Sequence, residues 1–326
     1  MTRRAAELDP ELQEIEAIRE ARRTPESHAV TPETAREQLE RNTEGMSDRI
    51  DTPGVDEVND FEIEGPGGAL PVRSYHPDAD APHPVTVFFH GGGFVYGSPD
   101  THDNVCRYLT DAADTLVLSV NYRKAPEHPF PAAVEDAYAA VEWAARFAGD
   151  LHGDPDRLAV AGDSAGGNLA AVVSLLARDR REGGGRIAAE TPDIDRQVLI
   201  YPWLDPAGRF DFASYEENRD PDDTSPGWLY EKYARSDVDT GNKYFAPLLA
   251  DDCSGLPPAT VLTAGFDALR DEGFAYADRL EDAGVEVTMA NYEAMNHGFV
   301  NLLGLVSRAH DAADLLAEDL RATFGE

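Results

Sequence analysis

A chain of 326 residues with 42% apolar content can bury one large catalytic domain with an appended element, or two medium domains, and is too apolar for wholesale disorder. Its 62 acidic residues against 28 basic ones leave a formal net charge of −34, which repels phosphate backbones and anionic membranes and argues against nucleic acid and membrane as partners. No run approaches the ~18 uncharged apolar residues of a membrane span, and the twin arginine Arg3-Arg4 precedes the acidic stretch AAELDPELQEIE instead of an apolar signal core, so a cytoplasmic address is expected.

Residues 1–50 read as two helices. The first, Pro10 to Arg23, is expected to place Leu12, Ile15 and Ile18 on one face. The second follows Thr31, whose hydroxyl can cap a helix that begins at Pro32 with Glu33 and Glu37 close behind. Both are too thin in apolar residues to fold alone and must lie on something else. A hairpin of Val55–Glu64 and Leu70–Tyr75 follows, joined through Gly65-Pro66-Gly67-Gly68. Short apolar strands then recur at VTVFF (85–89), LVLSV (116–120), LAVAG (158–162), QVLIYP (197–202), ATVLTAG (259–265) and VEVTMANYE (285–293). Helix-period stretches, among them Pro131–Phe147, Asn168–Arg181 and Glu272–Ala283, separate most of them. This alternation predicts βαβ units in an α/β, doubly wound and mostly parallel sheet, and the unbroken apolar strands fit burial on both faces. Residues 205–242 break the rhythm. They are too long for a simple connection, yet Trp228, Tyr230 and Tyr233, with a helical island at Trp228–Arg235, argue for order. The expected organisation is therefore a helical cap from 1–50 and 205–242, over a core built from 51–204 and 243–326.

Residues 159–171, AVAGDSAGGNLAA, carry G-x-S-x-G at Gly162, Ser164 and Gly166, directly after a strand and opening a helix. A sharp strand-to-helix turn of this kind lifts a serine hydroxyl to the edge of the sheet, with a helix N-terminus beside any negative charge that develops. Upstream, FFHGGGFVYG (88–97) ends a strand at His90 and follows it with Gly91-Gly92-Gly93. Backbone N–H groups in such a loop can converge on one oxygen, and no Gly-Lys-Ser/Thr ending points to a phosphate cradle instead. A base and an orienting acid are expected in the order Ser, Asp, His. His297 and His310 are the histidines after the serine. His310 falls in an acidic and apolar terminal helix, where a surface position is expected, whereas His297, in AMNHGFVN, follows the last predicted strand. Asp267, in GFDALRDEG, likewise stands at a strand's C-terminal end, where catalytic groups of open α/β sheets gather, with Asp271 as its rival.

Taken together, His90-Gly91-Gly92-Gly93, NYRKAPEHPFPAAVEDA (121–137), Gly162-Asp163-Ser164-Ala165-Gly166-Gly167, YPWLD (201–205), DALRDEG (267–273) and His297-Gly298-Phe299 resemble the hormone-sensitive-lipase-like family (family IV) of microbial esterases. The resemblance runs from LDPEL near the N-terminus to the last helix. It implies an α/β-hydrolase fold with a helical cap, Ser164 as nucleophile, His297 as base and Asp267 as its orienter. The oxyanion donors it implies are the N–H groups of Gly92, Gly93 and Ala165, with His90 holding the loop. Lys124, where the family often has leucine, and Ala268, where it often has proline, depart from the pattern. The implied activity is hydrolysis of short- to medium-chain carboxylic esters through an acyl-enzyme, with no cofactor and no metal. An amidase or deacetylase would use the same residues, and a non-catalytic ligand-binding relative would be expected to lack one of the three.

The remaining features receive structural readings. Cys106 and Cys253 lack metal-type spacing and are expected to be buried thiols. Glu127 and His128 are expected to hold the loop after LVLSV. Asp237, Asp239 and Gly241 faintly match a calcium loop, but the other ligands are missing, so a solvated acidic turn is expected. The acidity runs through segments that also carry apolar periodicity, and lysine is reduced to Lys124, Lys232 and Lys243. Such a composition resembles that of proteins from the cytosol of salt-accumulating halophiles, where a Debye length of about 3 Å at molar salt screens self-repulsion. The expected partner is a small-molecule ester, and a homodimer is left open.

Overall fold

The computed structural model describes residues 3–22, 27–47, 53–184, 191–218 and 225–325. Its strands are β1 (Glu57–Gly65), β2 (Gly68–His76), β3 (His83–Phe89), β4 (Leu116–Val120), β5 (Gly153–Asp163), β6 (Arg196–Ile200), β7 (Ala259–Phe266) and β8 (Val287–Asn296). They form one sheet in the order β1-β2-β4-β3-β5-β6-β7-β8. The hairpin strands pair antiparallel, β2 meets β4 antiparallel, and every later pairing is parallel. The doubly wound, mostly parallel α/β sheet expected from the sequence is thus present.

Helices cover both faces of this sheet. They are α1 (Pro10–Arg22), α2 (Pro32–Ser47), α3 (Asp103–Ala113), α4 (Ala132–Phe147), α5 (Ala165–Glu182), α6 (Ala213–Glu217), α7 (Ser225–Tyr233), α8 (Arg270–Asp282) and α9 (Ser307–Phe324). The side-chain period of two along a strand sorts the core into two layers. Val85, Val87 and Phe89 of β3 join α4, α5 and α8 in one cluster. Phe88 of the same strand joins α3, α9 and Leu12 of α1 in the other. The inner strands β3, β4, β6 and β7 are buried on both faces because each face meets helices, whereas the edge strands β1 and β8 are half-buried.

The N-terminal segment is strapped to the sheet's edge. Ala5 N–H donates to the Glu293 carbonyl and Asp9 N–H to that of Ala294, each at 2.9 Å, so residues 5–9 run along β8. Leu12 of α1 is fully buried and Ile15 partly so, but Ile18 is exposed, against expectation. Six residues at ~100° each carry Ile18 about 120° round the helix from Leu12, off the packed face. In α2, Arg36 donates to the carbonyls of Val95 (2.7 Å) and Ala125 (2.9 Å) and pairs with Glu127 (2.7 Å). Glu127 therefore ties the loop after β4 to the N-terminal helices. Arg23, residues 48–50 of the expected cap and 219–224 of the expected insertion lie outside the described residues.

Other readings resolve locally. Cys106 and Cys253 are buried free thiols. The Asp239 carboxylate accepts the N–H groups of Arg235 and Ser236, which closes an acidic turn. His310 is half-buried, its Nε2 accepting the Gly304 N–H at 2.9 Å and its ring edge-on to Tyr108, so it props a turn instead of facing solvent freely. Among the described residues no helix is long and apolar enough to cross a membrane.

Candidate active site

Ser164 stands between β5 and α5 with φ +55° and ψ −116°, a conformation non-glycine residues seldom adopt. Its backbone is held from both sides. Its N–H donates to the Ile200 carbonyl (2.9 Å), and its own carbonyl accepts the N–H groups of Trp203 (3.0 Å) and Asn168 (3.1 Å). The flanking glycines are sterically required: a Cβ on Gly162 would strike the Gly166 backbone, and one on Gly166 would strike the Phe89 carbonyl. Close packing thus turns the chain sharply enough to hold the Ser164 hydroxyl at the C-terminal end of β5.

The other two expected residues meet it there. His297, one residue past β8, sets Nε2 at 2.9 Å from Ser164 Oγ and Nδ1 at 2.7 Å from Asp267 Oδ2. Asp267, one residue past β7, is buried, and its Oδ1 accepts the Leu269 N–H at 2.8 Å. Burial opposes charge on His297, but the Asp267 carboxylate, by its charge and its hydrogen bond, outweighs it and holds the imidazole's pKa above the ordinary 6.5. Tyr201 packs its ring 4.8 Å from that imidazole. The rival acid is engaged elsewhere. Asp271, in the first turn of α8, accepts the Ser214 N–H (3.0 Å) and pairs with Arg270 (3.0 Å) and Arg3 (3.2 Å).

The glycine loop lies against the serine turn, because the Gly91 N–H donates to Asp163 Oδ1 at 2.7 Å. Gly92 and Gly93 both have positive φ, +120° and +58°. Among the described residues, no partner accepts the N–H groups of Gly92, Gly93 or Ala165, so all three remain available to a ligand oxygen. Leu229 of α7 closes over Gly93, where a Cβ would come within 2.6 Å of the leucine methyls. His90 serves the loop. Burial drives its pKa well below the ordinary value, Nδ1 lies 2.8 Å from the Gly91 carbonyl, and its ring stacks on Tyr122 at 4.3 Å.

Several supporting residues escaped the sequence reading. Asp163 is buried inside the motif itself, 3.1 Å from His102 Nε2 and within reach of Asn301. Burial works against its ionised form, but His102, the Gly91 N–H and Asn301 prevail and keep its pKa below the usual carboxylate value. An acid predicted at the end of a buried strand must find such partners, and that was the available signal. Asn218 and Ser214 support the acid's turn by donating to the carbonyls of Asp267 (2.9 Å) and Ala268 (2.6 Å). Glu272, also buried, accepts the Asp205 N–H and the Tyr215 hydroxyl, each at 2.8 Å. Burial raises its pKa to about 8. It joins the YPWLD and DALRDEG stretches, which the sequence presents as separate motifs. No sequence period marks these long-range contacts.

This sheet, with a strained serine, a histidine and an acid at the C-terminal ends of its strands, has the build of a hydrolase of the alpha/beta hydrolase fold. The family of that fold matches residues 86–301, and the chain belongs to it. The chain is 46% identical over 276 residues to the carboxylic ester hydrolase LipN of Mycobacterium tuberculosis, covering 82% of this chain and 70% of that one. An ethyl acetate hydrolase of Pseudomonas putida is 35% identical over 316 residues, 95% of this chain and 96% of the relative. Among solved structures, a hyperthermophilic esterase from the archaeon Pyrobaculum calidifontis superposes with a TM-score of 0.89 at 39% identity, covering 97% of this chain and 98% of that one. The hormone-sensitive-lipase-like resemblance is supported, and the protein is a carboxylic ester hydrolase.

Proposed function

We propose that the chain hydrolyses short- to medium-chain carboxylic esters through Ser164, His297 and Asp267 by way of an acyl-enzyme. The observation that carries this reading is the unbroken chain from Ser164 Oγ to His297 Nε2 (2.9 Å) and from His297 Nδ1 to Asp267 (2.7 Å). His297 takes the hydroxyl proton as Ser164 Oγ attacks the ester carbonyl. The N–H groups of Gly92, Gly93 and Ala165 stabilise the tetrahedral oxyanion. The alcohol departs with the proton from His297, leaving the acyl group on Ser164. A water deprotonated by His297 then attacks the acyl carbonyl, and Ser164 leaves with that proton. No step calls for a cofactor. Residues 1–50 and 205–242 act as a cap over this site, and Leu229 against Gly93 limits the acyl chain.

A panel of nitrophenyl acyl esters of increasing chain length tests the substrate class. Turnover should peak among short and medium chains and fall for long ones. Faster cleavage of the matching nitroanilides would make the protein an amidase on the same residues.

The net charge of −34 supports a second element of the reading, a salt-rich cytoplasm as the working medium. Raising KCl from about 0.1 M to 1 M shortens the Debye length from about 10 Å to 3 Å and removes most repulsion between surface carboxylates. The melting temperature should rise across that range, by roughly 2–4 °C per kcal/mol of relieved repulsion. A flat or falling curve in thermal denaturation would reject the halophilic assignment.

A further inference from the structure

His297 follows a break in the sheet. Ala264 of β7 pairs with Tyr292 of β8, and the next pair is Phe266 with Asn296. β8 therefore carries surplus residues, Glu293–Met295, that leave the regular ladder just ahead of the histidine. Such an excursion re-aims the side chains that follow it and leaves backbone groups in need of other partners. Two of those partners come from the N-terminal segment. The Glu293 carbonyl accepts the Ala5 N–H and the Ala294 carbonyl the Asp9 N–H, each at 2.9 Å, while Met295 is buried in the core.

Helix α1 continues the hold. The Glu16 carboxylate accepts the Asn296 side-chain N–H at 2.9 Å, directly ahead of His297. The other end of that amide, Oδ1, is buried and has no hydrogen-bond partner among the described residues, so the contact with Glu16 is what orients the side chain. A carboxylate only accepts, which fixes the end of the amide that faces it, and its charge strengthens the bond. On the far side of His297, Glu11 of the same helix accepts both the Ser307 N–H (2.7 Å) and the Ser307 hydroxyl (2.9 Å). Leu12, buried in the core, anchors the helix itself. One fixed helix thus grips the histidine-bearing segment at both ends, at Asn296 and at Ser307.

We propose that Glu16 is a positioning residue for ester hydrolysis, holding the His297 imidazole between Ser164 and Asp267 through Asn296, on the reading that His297 is the base. The N-terminal segment then governs the rate as well as covering the site. Burial opposes charge on His297, and Asp267, with Asp163 behind it, outweighs burial. Ser164 and Tyr201, also against the ring, carry no charge. Without Glu16 the Asn296 side chain loses its partner and the imidazole is free to move off Asp267. A longer contact with that carboxylate lowers the pKa of the ring and spoils its alignment on Ser164.

Glu16→Ala should lower kcat roughly tenfold and leave KM nearly unchanged, well inside the ~10²-fold cost of a misplacement of about 1 Å. Glu16→Gln, which keeps an acceptor oxygen, should retain most of the rate. Asn296→Ala should match Glu16→Ala, and the double variant should be no worse than either, as for two residues acting through one contact. Glu14→Ala removes the same charge from an exposed position of α1 and should change nothing. NMR titration of the His297 ring, assigned by comparison with His297→Gln, should show a lowered pKa in Glu16→Ala and a value near wild type in Glu16→Gln. Wild-type kcat and titration in both Glu16→Ala and Asn296→Ala overturn the proposal. An equal shift in Glu16→Gln overturns it too, because Glu16 would then act by its charge alone. A lowered titration with the acidic limb of kcat/KM left in place would uphold the brace and overturn the reading of His297 as the base.

Discussion

Ser164→Ala is expected to lose roughly 10⁶-fold in kcat, the scale on which serine hydrolases depend on their nucleophile. The argument rests on what survives the change. Alanine keeps the Cβ, so the turn at φ +55° is no less strained and its bonds to Ile200, Trp203 and Asn168 persist. The glycine loop stays docked through Gly91 and Asp163, and the N–H groups of Gly92, Gly93 and Ala165 keep their places. Fold and ester binding should therefore hold while acyl transfer ceases. In a stopped-flow assay with a nitrophenyl ester, the variant should give no burst of nitrophenol, its melting temperature should stay within a degree or two of the wild type, and its slow residual rate should be linear from the start. A burst of one equivalent in the variant would mean that another side chain accepts the acyl group.

The contrast between that serine and its surroundings explains what can be read from the chain alone. Strands announce themselves through burial on both faces, and the apolar run at 116–120 coincides with β4, residue for residue. Ends are harder, because hydrogen bonding carries a strand beyond its apolar residues. β5 begins at Gly153, five residues before its apolar run, and β8 continues to Asn296. Leu12 was legible as a core residue, but Ile18 was misplaced, since apolar spacing says nothing about where a helix leaves the core. Short elements such as α6 went unread because five residues, ASYEE, carry no helical period; tertiary contact holds them instead. The site shows the same division. Ser164, His297 and Asp267, the residues proposed for the chemistry, could be singled out because each sits at the end of a strand in a fixed order. Asp163, His102, Asn218 and Glu272 act through contacts between segments far apart in the chain, and pattern reading does not reach them.

The two acids of the DALRDEG run separate a chemical role from a structural one. Asp267→Asn is expected to cost about 10⁴ in kcat, because the amide can no longer both orient the imidazole and stabilise its charge. A signature in pH should accompany the loss. The Asp267 carboxylate is what lifts the His297 pKa above its ordinary 6.5 against burial. Without it burial prevails, the pKa falls, and the neutral base persists to lower pH. The acidic limb of kcat/KM should therefore move to lower pH in this variant, a shift that simple loosening of the fold would not produce. Asp271→Asn should behave differently. Its carboxylate holds the Ser214 N–H and Arg270, and Arg3 of the N-terminal strap, none of which touches the imidazole. Losing a largely buried acceptor of this kind costs about 1–3 kcal/mol of stability. The melting temperature should drop while kcat stays within a few-fold of wild type and the pH limb stays in place. Steady-state kinetics across pH and thermal denaturation on the pair of variants decide the matter. If Asp271→Asn stops turnover while Asp267→Asn keeps both its rate and its pH limb, the acid of the relay is Asp271, and the bond from Asp267 to His297 is structural.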